Sequence, residues 1–415
     1  MNEFARMEDW RARFSDGEEQ MDHAPARFDS YAEFARFDAP ATNELGTVFR
    51  STVWRWRDPS TIPPRPWLYG RHMLRKQVSV TVAPGGVGKS SHSIVEALAM
   101  VTGRELLDEW TASNLRVWLF NLEDDADELD RRIAAAMMHH RIEPEAIGDC
   151  LRADTGRRTP LCTATRGPEG SSIVRPVMDA LEAEIRASRI DVLIVDPFVS
   201  SHRVEENDNS AIDMVAKEWA ALADRCNCAV ELVHHTAKAY GAALTSESGR
   251  GASALLNAAR SGRVFNRMTD EERDKAGLTD DRATIFSITR DKANMAPPGA
   301  RVWRRMASLD LGQGDHVGVA EVWEWPDDFD GLDAGDLLRV QHALDGKGAR
   351  FSDQCEDWAG NVVAATLDLD PVHDRKRVKR MLAAWLKSGA LVKGETLDGK
   401  RNRRPTVEVG EWATS

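Results

Sequence analysis

The sequence lacks long apolar runs and paired cysteines. No stretch reaches the ~18 consecutive apolar residues that a membrane-spanning helix needs, and the first residues, MNEFARMEDWRARFSDGEEQ, have no apolar segment like those of secretory signals. We therefore expect a cytoplasmic protein that does not enter a membrane. The five cysteines are odd in number and show no C-x-x-C spacing, which predicts reduced thiols and disfavours a disulfide framework or a metal site.

Charge is unevenly distributed along the 415 residues. The net charge of −12 alone argues against a nucleic-acid partner, but residues 371–404 hold eleven Lys/Arg against three Asp/Glu. The remainder of the chain must then be strongly acidic. Such asymmetry predicts a basic contact surface near the C-terminal end, and the length predicts two or three folded units.

Residues 1–59 differ from the rest in composition, because they are polar and acidic, with scattered aromatic and few aliphatic side chains. A segment of this kind buries little apolar surface, so we expect a flexible tail. The spacing of Tyr31, Phe34 and Phe37 alternatively suits a short docking helix.

Residues 60–300 alternate between apolar strands and amphipathic helices. Strands are predicted at 77–83, 115–123, 190–197, 229–235, 261–266 and 283–290. The pattern predicts an α/β core with a mainly parallel sheet that is covered by helices on both faces. Residues 301–330 indicate a short β or linker region after this core.

Residues 331–415 follow a different pattern, in which three helices precede two short strands around a basic loop. The helices are predicted at 331–346, 356–367 and 374–390. This is the element order of a winged helix, so we expect a small winged-helix-like α+β domain. Leu382 and Trp385 are predicted to face its core.

Residues 83–90 read A-x-x-x-x-G-K-S between a predicted strand and a predicted helix. This is the setting of a phosphate-binding loop, whose glycines let backbone N–H groups face the phosphates. Lys89 would reach the β- and γ-phosphates, and the Ser90 hydroxyl would bind Mg²⁺. The predicted nucleotide-binding residues of the loop are Gly85, Gly86, Val87, Gly88, Lys89, Ser90 and Ser91.

Two carboxylates follow apolar strands in the predicted core. Asp196 ends the most apolar strand, VLIVD, and suits the second protein ligand of Mg²⁺ beside Ser90. Glu123 ends an earlier strand, where a carboxylate can align the attacking water and accept its proton. Asp124 and Asp125 are alternatives to Glu123 by position.

Histidines and arginines that follow later strands are candidates for contacts with the γ-phosphate. One of His234 and His235 is expected to contact the γ-phosphate, and the pattern does not choose between them. An arginine that reaches the γ-phosphate of a neighbouring subunit would stabilise the charge of the transition state. Arg250, Arg260 and Arg263 are the candidates for this role.

Together, the segments APGGVGKSS, WLFNLED, VLIVDPF, HHTAK and RGASALLNAAR resemble the RepA-type hexameric replicative helicases, which are RecA-like ATPases. The resemblance spans about residues 65–295. It implies a six-membered ring that binds ATP and Mg²⁺ between subunits, with Glu123 as catalytic carboxylate and Asp196 as Walker B acid. It also implies that the strand before Glu123 lies beside the phosphate-loop strand.

The resemblance further implies Arg260 as the arginine supplied in trans, and it places Lys292 and Asn294 near a nucleotide. Two loops, 200–210 and 238–250, would line the channel for single-stranded DNA. The first loop is acidic, which departs from a surface that binds phosphates. The expected DNA contacts of the second loop and of the C-terminal domain, which would add duplex binding, are Lys238, Arg250, Arg375, Lys376, Arg377, Lys379, Arg380, Lys400, Arg401, Arg403 and Arg404.

The sequence therefore predicts an ATP-driven, ring-forming DNA motor or remodeller. The alternative is a DNA-binding initiator or regulator that uses ATP as an assembly switch and does not unwind DNA. A partition ATPase of the ParA/MinD type is disfavoured, because that family needs a lysine where this chain has Pro84.

Overall fold

The computed structural model describes residues 50–112, 114–236, 252–278, 284–297, 299–312, 314–397 and 402–414. The chain divides into two compact units, Met1–Pro64 and Arg65–Ser415. In the first unit, a short 3₁₀ turn at Pro59–Thr61 is capped by Asp58, whose carboxylate accepts a hydrogen bond from the Ser60 amide at 2.9 Å. Within the described ranges, no helix has the length and apolarity needed to cross a membrane.

The second unit contains fifteen described strands and nine described α-helices. The strands are β1 (Trp67–Tyr69), β2 (Met73–Leu74), β3 (Val78–Pro84), β4 (Val117–Asn121), β5 (Leu151–Thr155), β6 (Ala164–Gly167), β7 (Gly170–Ile173), β8 (Val192–Asp196), β9 (Ala229–Thr236), β10 (Ser261–Arg267), β11 (Ile285–Ala293), β12 (Val302–Asp310), β13 (His316–Val322), β14 (Leu391–Leu397) and β15 (Arg403–Val409). The helices are α1 (Lys89–Thr102), α2 (Ala126–His139), α3 (Arg175–Ser188), α4 (Asn209–Cys226), α5 (Ala252–Ala258), α6 (Asp270–Ala276), α7 (Ala334–Leu344), α8 (Ala359–Thr366) and α9 (Arg375–Ser388).

A nine-stranded sheet forms the centre of this unit, in the order β13-β12-β11-β10-β3-β9-β8-β4-β5. The six strands from β10 to β5 run parallel, and β11, β12 and β13 continue the sheet in antiparallel fashion. The predicted α/β class with a mainly parallel sheet is confirmed.

Strand β8 shows why the central strands are apolar throughout. Leu193 and Val195 pack into the layer that contains Trp219 of α4, whereas Val192 and Ile194 pack into the layer that contains Leu98 of α1. A parallel strand with helices on both faces buries every side chain, so its sequence reads as a continuous apolar run.

The expected position of β4 beside the phosphate-loop strand is wrong. Strand β3 lies between β10 and β9, and both β9 and β8 separate it from β4. Strand β8 pairs with β4, and β9 then lies between β8 and β3. Strand burial is encoded locally, but the lateral order depends on which crossover connections the helices can make.

The β region after residue 300 extends the core sheet. Ile288 of β11 pairs with Val302 of β12. Strand β13 pairs with β12 along the whole length of β13, from Arg304–Val322 to Asp310–His316. A boundary at residue 300 therefore falls between two hydrogen-bonded strands.

The C-terminal part has its own apolar core, formed by α7, α8, α9 and the β14–β15 hairpin. Leu382 and Trp385 are buried in it, as predicted. A short extended segment adds to the hairpin, because the Val407 amide donates to the Ala349 carbonyl at 2.9 Å and the Phe351 amide donates to the Pro405 carbonyl at 3.1 Å. The predicted three helices and two strands are therefore present in the predicted order.

Candidate nucleotide-binding site

The glycine-rich loop connects β3 to α1 and has the geometry of an anion site. Gly86 (φ 68°) and Gly88 (φ 102°) adopt left-handed backbone, and Gly88 caps α1 without any side-chain hydrogen bond. A Cβ on Gly88 would also lie 2.5 Å from the Met306 sulfur. The first N–H groups of this 14-residue helix thus remain available to a phosphate.

Two other loop residues serve mainly to hold the loop in place. Val87 is fully buried in a small cluster with Phe265 and Phe286. The Ser91 hydroxyl donates to the Gly318 carbonyl at 2.8 Å and accepts from the Ala320 amide at 3.1 Å. Ser91 therefore connects α1 to β13. Because its hydroxyl is engaged in these bonds, Ser91 holds the start of α1 in position in the predicted nucleotide site.

Lys89 begins α1 and is 5% exposed. Burial lowers the pKa of its ammonium group, and the carboxylates of Asp196 and Glu123 partly oppose that shift. The fold thus brings together the lysine and the two acids that the sequence singled out, although they come from three different loops. This charge arrangement suits a lysine that remains protonated to bind phosphate.

Asp196 ends β8 with its side chain buried at 3% exposure. Its Oδ1 atom has no hydrogen-bond partner among the described residues, and the His235 Nε2 atom lies 3.8 Å away. A buried carboxylate oxygen left without a partner is costly. An unpaired carboxylate oxygen of this kind is suited to bind Mg²⁺, so the residues present are compatible with the expected metal.

A Mg²⁺ ion here would take few ligands from the protein. The described part of the chain holds no cluster of three or more His, Cys, Asp or Glu side chains suited to a metal. Mg²⁺ usually takes one or two protein oxygens together with water and substrate phosphates.

Asn121, which the sequence analysis overlooked, organises the acidic segment after β4. Its side-chain carbonyl accepts from the Glu123 amide at 2.9 Å and the Asp124 amide at 2.8 Å. Asp124 pairs with Arg132 at 2.8 Å, and Asp125 caps α2. Both alternatives to Glu123 are thus engaged in structural contacts, and Glu123 stays the predicted catalytic acid. A polar residue at the end of an apolar strand was the available signal.

The two adjacent histidines of β9 occupy different surroundings. His235 pairs in register with Ala83 beside the phosphate loop and lies near Asp196. His234 is buried 6.3 Å from the Phe198 ring, and burial, followed by the neighbouring charges of His235, His202 and Lys89, lowers its pKa to about 4. His235 is thus the histidine on the Asp196 side of the strand.

Arg267 is a second residue that the sequence analysis missed. It ends β10, the neighbour of β3, and its guanidinium donates to the Gly86 carbonyl. This places a cation against the loop within the same chain. Only the lateral order of the strands reveals the contact, since 181 residues separate the two positions.

The phosphate loop follows the C-terminal end of β3. Near the N-terminal end of the same strand lie Arg260, Lys292 and Asn294. The Arg260 amide donates to the carbonyl of Val78, the first residue of β3, at 3.0 Å, and the Asn294 amide donates to the Arg260 carbonyl at 3.2 Å. The seven residues of β3 span about 20 Å. These residues therefore cannot reach the triphosphate bound by their own chain.

Lys292 faces α5, where its ammonium group donates to the Leu256 carbonyl at 2.6 Å and the Asn257 carbonyl at 2.9 Å. Burial lowers its pKa, and the adjacent Arg260 charge lowers it further. Arg260 itself is exposed. The structure thus presents two neighbouring cations at this end of β3.

The other two candidate arginines are accounted for differently. Arg263 is 6% exposed and binds Glu96 through both guanidinium nitrogens at 2.6 Å. A buried bidentate pair of this kind is structural, so Arg263 is not available to a neighbouring subunit. Arg250 and Lys238, with the whole second channel loop, lie outside the described residues.

Residues 200–210, which the sequence predicts to line a DNA channel, contain acids that make structural contacts. Asp208 caps α4 by accepting from the Ser210 and Ala211 amides at 3.1 Å, and Glu205 pairs with Arg166. Two of these acids therefore have local partners, and the negative charge seen in the sequence is partly neutralised.

Basic residues of α9 are paired within the chain. Lys376 contacts Asp274 at 2.9 Å, Arg380 contacts Asp328 at 2.8 Å and Lys379 contacts Asp353. Arg377 donates to the carbonyls of Asp328 and Asp330 at 2.9 Å, and Arg375 lies 4.7 Å over the Trp358 ring. A DNA phosphate would have to compete with these acids.

The basic residues of the β14–β15 hairpin differ in their surroundings. Arg403 pairs with Glu395 at 3.1 Å and Arg404 is exposed, whereas Lys400 and Arg401 lie outside the described residues.

A buried histidine within residues 200–210, His202, predicts acid sensitivity. Burial lowers the pKa of His202 to about 4, whereas a histidine in an unfolded chain has a pKa of ~6.5. Its contribution to stability is therefore complete above pH ~6.5 and is lost as the pH falls towards 4, by about 2 kcal/mol at pH 5. The free energy of unfolding can be measured with urea at pH 7.5 and pH 5.0. Between these pH values it should fall by about 2 kcal/mol less in His202→Gln than in the parent.

The exposed His373 provides the matched control, since His373→Gln should keep the pH dependence of the parent. An unchanged pH dependence in His202→Gln would contradict the assignment of a buried neutral imidazole.

The chain is similar to known proteins over part of its length. Residues 43–241 match the family described as AAA domain, which is slightly less than half of the chain. A solved structure described as a DnaB-like replicative helicase with its interactions with primase shares 14% identity with a TM-score of 0.40, over 56% of this chain and 57% of that one. This chain thus spans a little over half of the length of that protein. The matched residues 43–241 include the phosphate loop, Glu123 and Asp196, so this part of the chain is similar to an AAA domain.

Proposed function

We propose that this protein is an ATP-hydrolysing DNA motor of the RepA-like helicase type, which works as a ring of identical subunits. The observation that carries the proposal is the division of the site. The phosphate loop, Glu123 and Asp196 lie at one end of β3, whereas Arg260 and Lys292 lie at the other. A site divided in this way is complete only where one copy meets the next, as in a head-to-tail ring.

Each residue has a defined part in hydrolysis. Lys89 and the backbone amides of the loop bind the β- and γ-phosphates. Ser90 and Asp196 would hold Mg²⁺, which when bound would supply positive charge beside the phosphates. Glu123 orients a water in line with the γ-phosphate and accepts its proton. Arg260 of the adjacent subunit stabilises the charge of the transition state, with Lys292 beside it.

His235 is the proposed sensor of the γ-phosphate. It lies on the Asp196 side of β9, and the second channel loop follows β9 directly in the sequence. A change at the γ-phosphate would therefore act on the loop that is proposed to contact single-stranded DNA. The C-terminal winged-helix-like domain would add contacts to duplex DNA.

The second candidate is an ATP-switched initiator or regulator that assembles on DNA without unwinding it. The intramolecular pairing of Lys376, Lys379 and Arg380 favours it, because these cations already have acidic partners. A motor needs a DNA grip that changes with each turnover, whereas a switch needs only two stable states.

The ATPase rate with and without single-stranded DNA separates the two functions. A translocating motor should be stimulated by about tenfold or more, which corresponds to ~1.4 kcal/mol of transition-state stabilisation. Low-resolution imaging with an ATP analogue should show rings in the same preparation. DNA binding without stimulation would favour the switch, and a monomer that ignores ATP would exclude both functions.

A further inference from the structure

A second polar cavity lies behind the phosphate-loop helix. It has a volume of about 270 Å³ and is enclosed by α1, the β1–β2 turn and strands β10, β11 and β12. His92 and Glu96 of α1 line it, whereas Lys89 and the glycine-rich loop do not. The cavity is therefore separate from the proposed ATP site, although both are built on the same helix.

The inner wall of this cavity is a closed ion-pair network. Arg263 uses both terminal nitrogens on Glu96 and its Nε atom on the Thr81 hydroxyl at 2.7 Å. Glu231, also buried, accepts from the Thr81 hydroxyl at 2.5 Å and contacts His72 Nε2 at 3.0 Å. Each of the three guanidinium nitrogens of Arg263 thus already donates to a residue of this wall.

Three other groups around the cavity are donors without acceptors. Within the described part of the chain, the Tyr69 hydroxyl, the Arg304 Nε atom and the Arg290 Nε atom are buried and have no hydrogen-bond partner. Tyr69 is 1% exposed and Arg304 is 4% exposed. Burial raises the pKa of Tyr69 well above its usual value, so its hydroxyl remains a donor. Tyr69, Arg290 and Arg304 all line the cavity, and unpaired donors complement an oxyanion.

The charge of the lining points in the same direction. Four arginines line the cavity (Arg71, Arg263, Arg290 and Arg304) against two glutamates (Glu96 and Glu109). Burial lowers the pKa of Arg290, and the nearby Arg263 and Arg71 charges lower it further, against the opposing effect of Glu109. A bound anion would relieve this repulsion.

Local backbone geometry places Arg290 in this cavity. Gly262 pairs with Lys292, but Val264 pairs with Thr289, so β11 has one extra residue in this interval. This bulge turns Arg290 towards α1 while Lys292 faces α5. The irregularity thus provides both the Lys292 contact at the sheet edge and a cation in the cavity.

An aromatic outer cavity adjoins the polar one. Its volume is about 460 Å³, and it shares Gly70, Arg71 and Glu109 with the inner cavity. Trp67 and the half-exposed Trp110 line it, and the Arg71 guanidinium lies 5.8 Å from the Trp67 ring. An aromatic ring attached to the anion would find stacking surfaces here.

We propose that the inner cavity is a second anion-binding site, separate from the phosphate loop, which binds a phosphate group through Tyr69, Arg290 and Arg304. The phosphate group comes either from free inorganic phosphate or from a nucleoside monophosphate whose base lies against Trp110. Because His92 and Glu96 belong to the helix that begins at Lys89, occupancy of this site bears directly on the position of that helix.

Calorimetric titration with inorganic phosphate tests the site in a Lys89→Ala background at constant ionic strength. This background disables the phosphate loop, so the outcome does not depend on whether the protein hydrolyses ATP. Tyr69→Phe and Arg290→Gln, each of which removes an unpaired donor, should weaken phosphate binding by about tenfold or more. Arg305→Gln is the matched control, because Arg305 is exposed and pairs with Glu321 outside the cavity.

Equal phosphate affinity in Tyr69→Phe, Arg290→Gln and Arg305→Gln would overturn the proposal. So would the absence of phosphate and AMP binding in the Lys89→Ala background. Folding of each variant is checked by urea unfolding, and the hydroxyl deletion in Tyr69→Phe preserves the ring that packs in the core.

AMP distinguishes the two sources of the phosphate group. If a nucleoside monophosphate is the ligand, AMP should bind more tightly than phosphate, and Trp110→Ala should remove the difference. If free phosphate is the ligand, AMP should bind no more tightly, and Trp110→Ala should leave phosphate affinity unchanged.

Discussion

Lys89→Ala is expected to lower ATP turnover strongly. The ammonium group begins α1 at the end of a loop with open backbone donors, and it is buried beside Asp196 and Glu123. Its removal takes away the ammonium group that lies beside these two carboxylates and is proposed to bind the phosphates. We expect a loss of about 10²–10³-fold in kcat together with weaker nucleotide binding, measured by phosphate release and by titration with a fluorescent ATP analogue.

Lys217→Ala is the matched control, because Lys217 is an exposed lysine on α4 that pairs with Asp213. It should retain the parent rate. Unchanged turnover in Lys89→Ala would refute the assignment of the phosphate loop, and with it the proposed function.

Arg260→Ala is expected to lower kcat by about 10³-fold while ATP binding remains intact. Arg260 is separated from its own phosphate loop by the length of β3, so its effect on turnover must come from the adjacent subunit. Arg305→Ala, which removes an exposed arginine paired with Glu321, should leave both quantities unchanged.

Mixing Arg260→Ala with Lys89→Ala subunits tests supply in trans. A complete site forms wherever the intact loop of the first variant meets the intact arginine of the second. In randomly mixed rings with independent sites, this restores about a quarter of the parent rate. No recovery in mixed rings would show that the arginine acts within one chain or that another residue has this role.

Local sequence signals were sufficient for the phosphate loop and for the strands that carry the acids. Gly86 and Gly88 need left-handed backbone, which glycine adopts without strain. Asp196 follows a strand that is apolar because it is buried on both faces. Such signals depend on neighbouring residues, so the sequence contains them directly.

Contacts between distant segments were not predictable in the same way. Arg263 resembled Arg260 as a candidate, but the strand order places it against Glu96 of α1, 167 residues away. Likewise, the Arg267 contact with Gly86 follows from the pairing of β10 with β3. The sequence did not reveal which strands are neighbours, because many lateral orders satisfy the same pattern of burial.

The sequence by itself determined the α/β class, the phosphate loop and the acids at the ends of strands, since backbone conformation and burial are encoded residue by residue. Only the tertiary structure decided that Arg260 lies a full strand away from its own loop and that His235 lies on the Asp196 side. It alone assembled the unpaired donors of Tyr69, Arg290 and Arg304 around one cavity. These relations depend on strand order and register, which arise when the whole sheet closes.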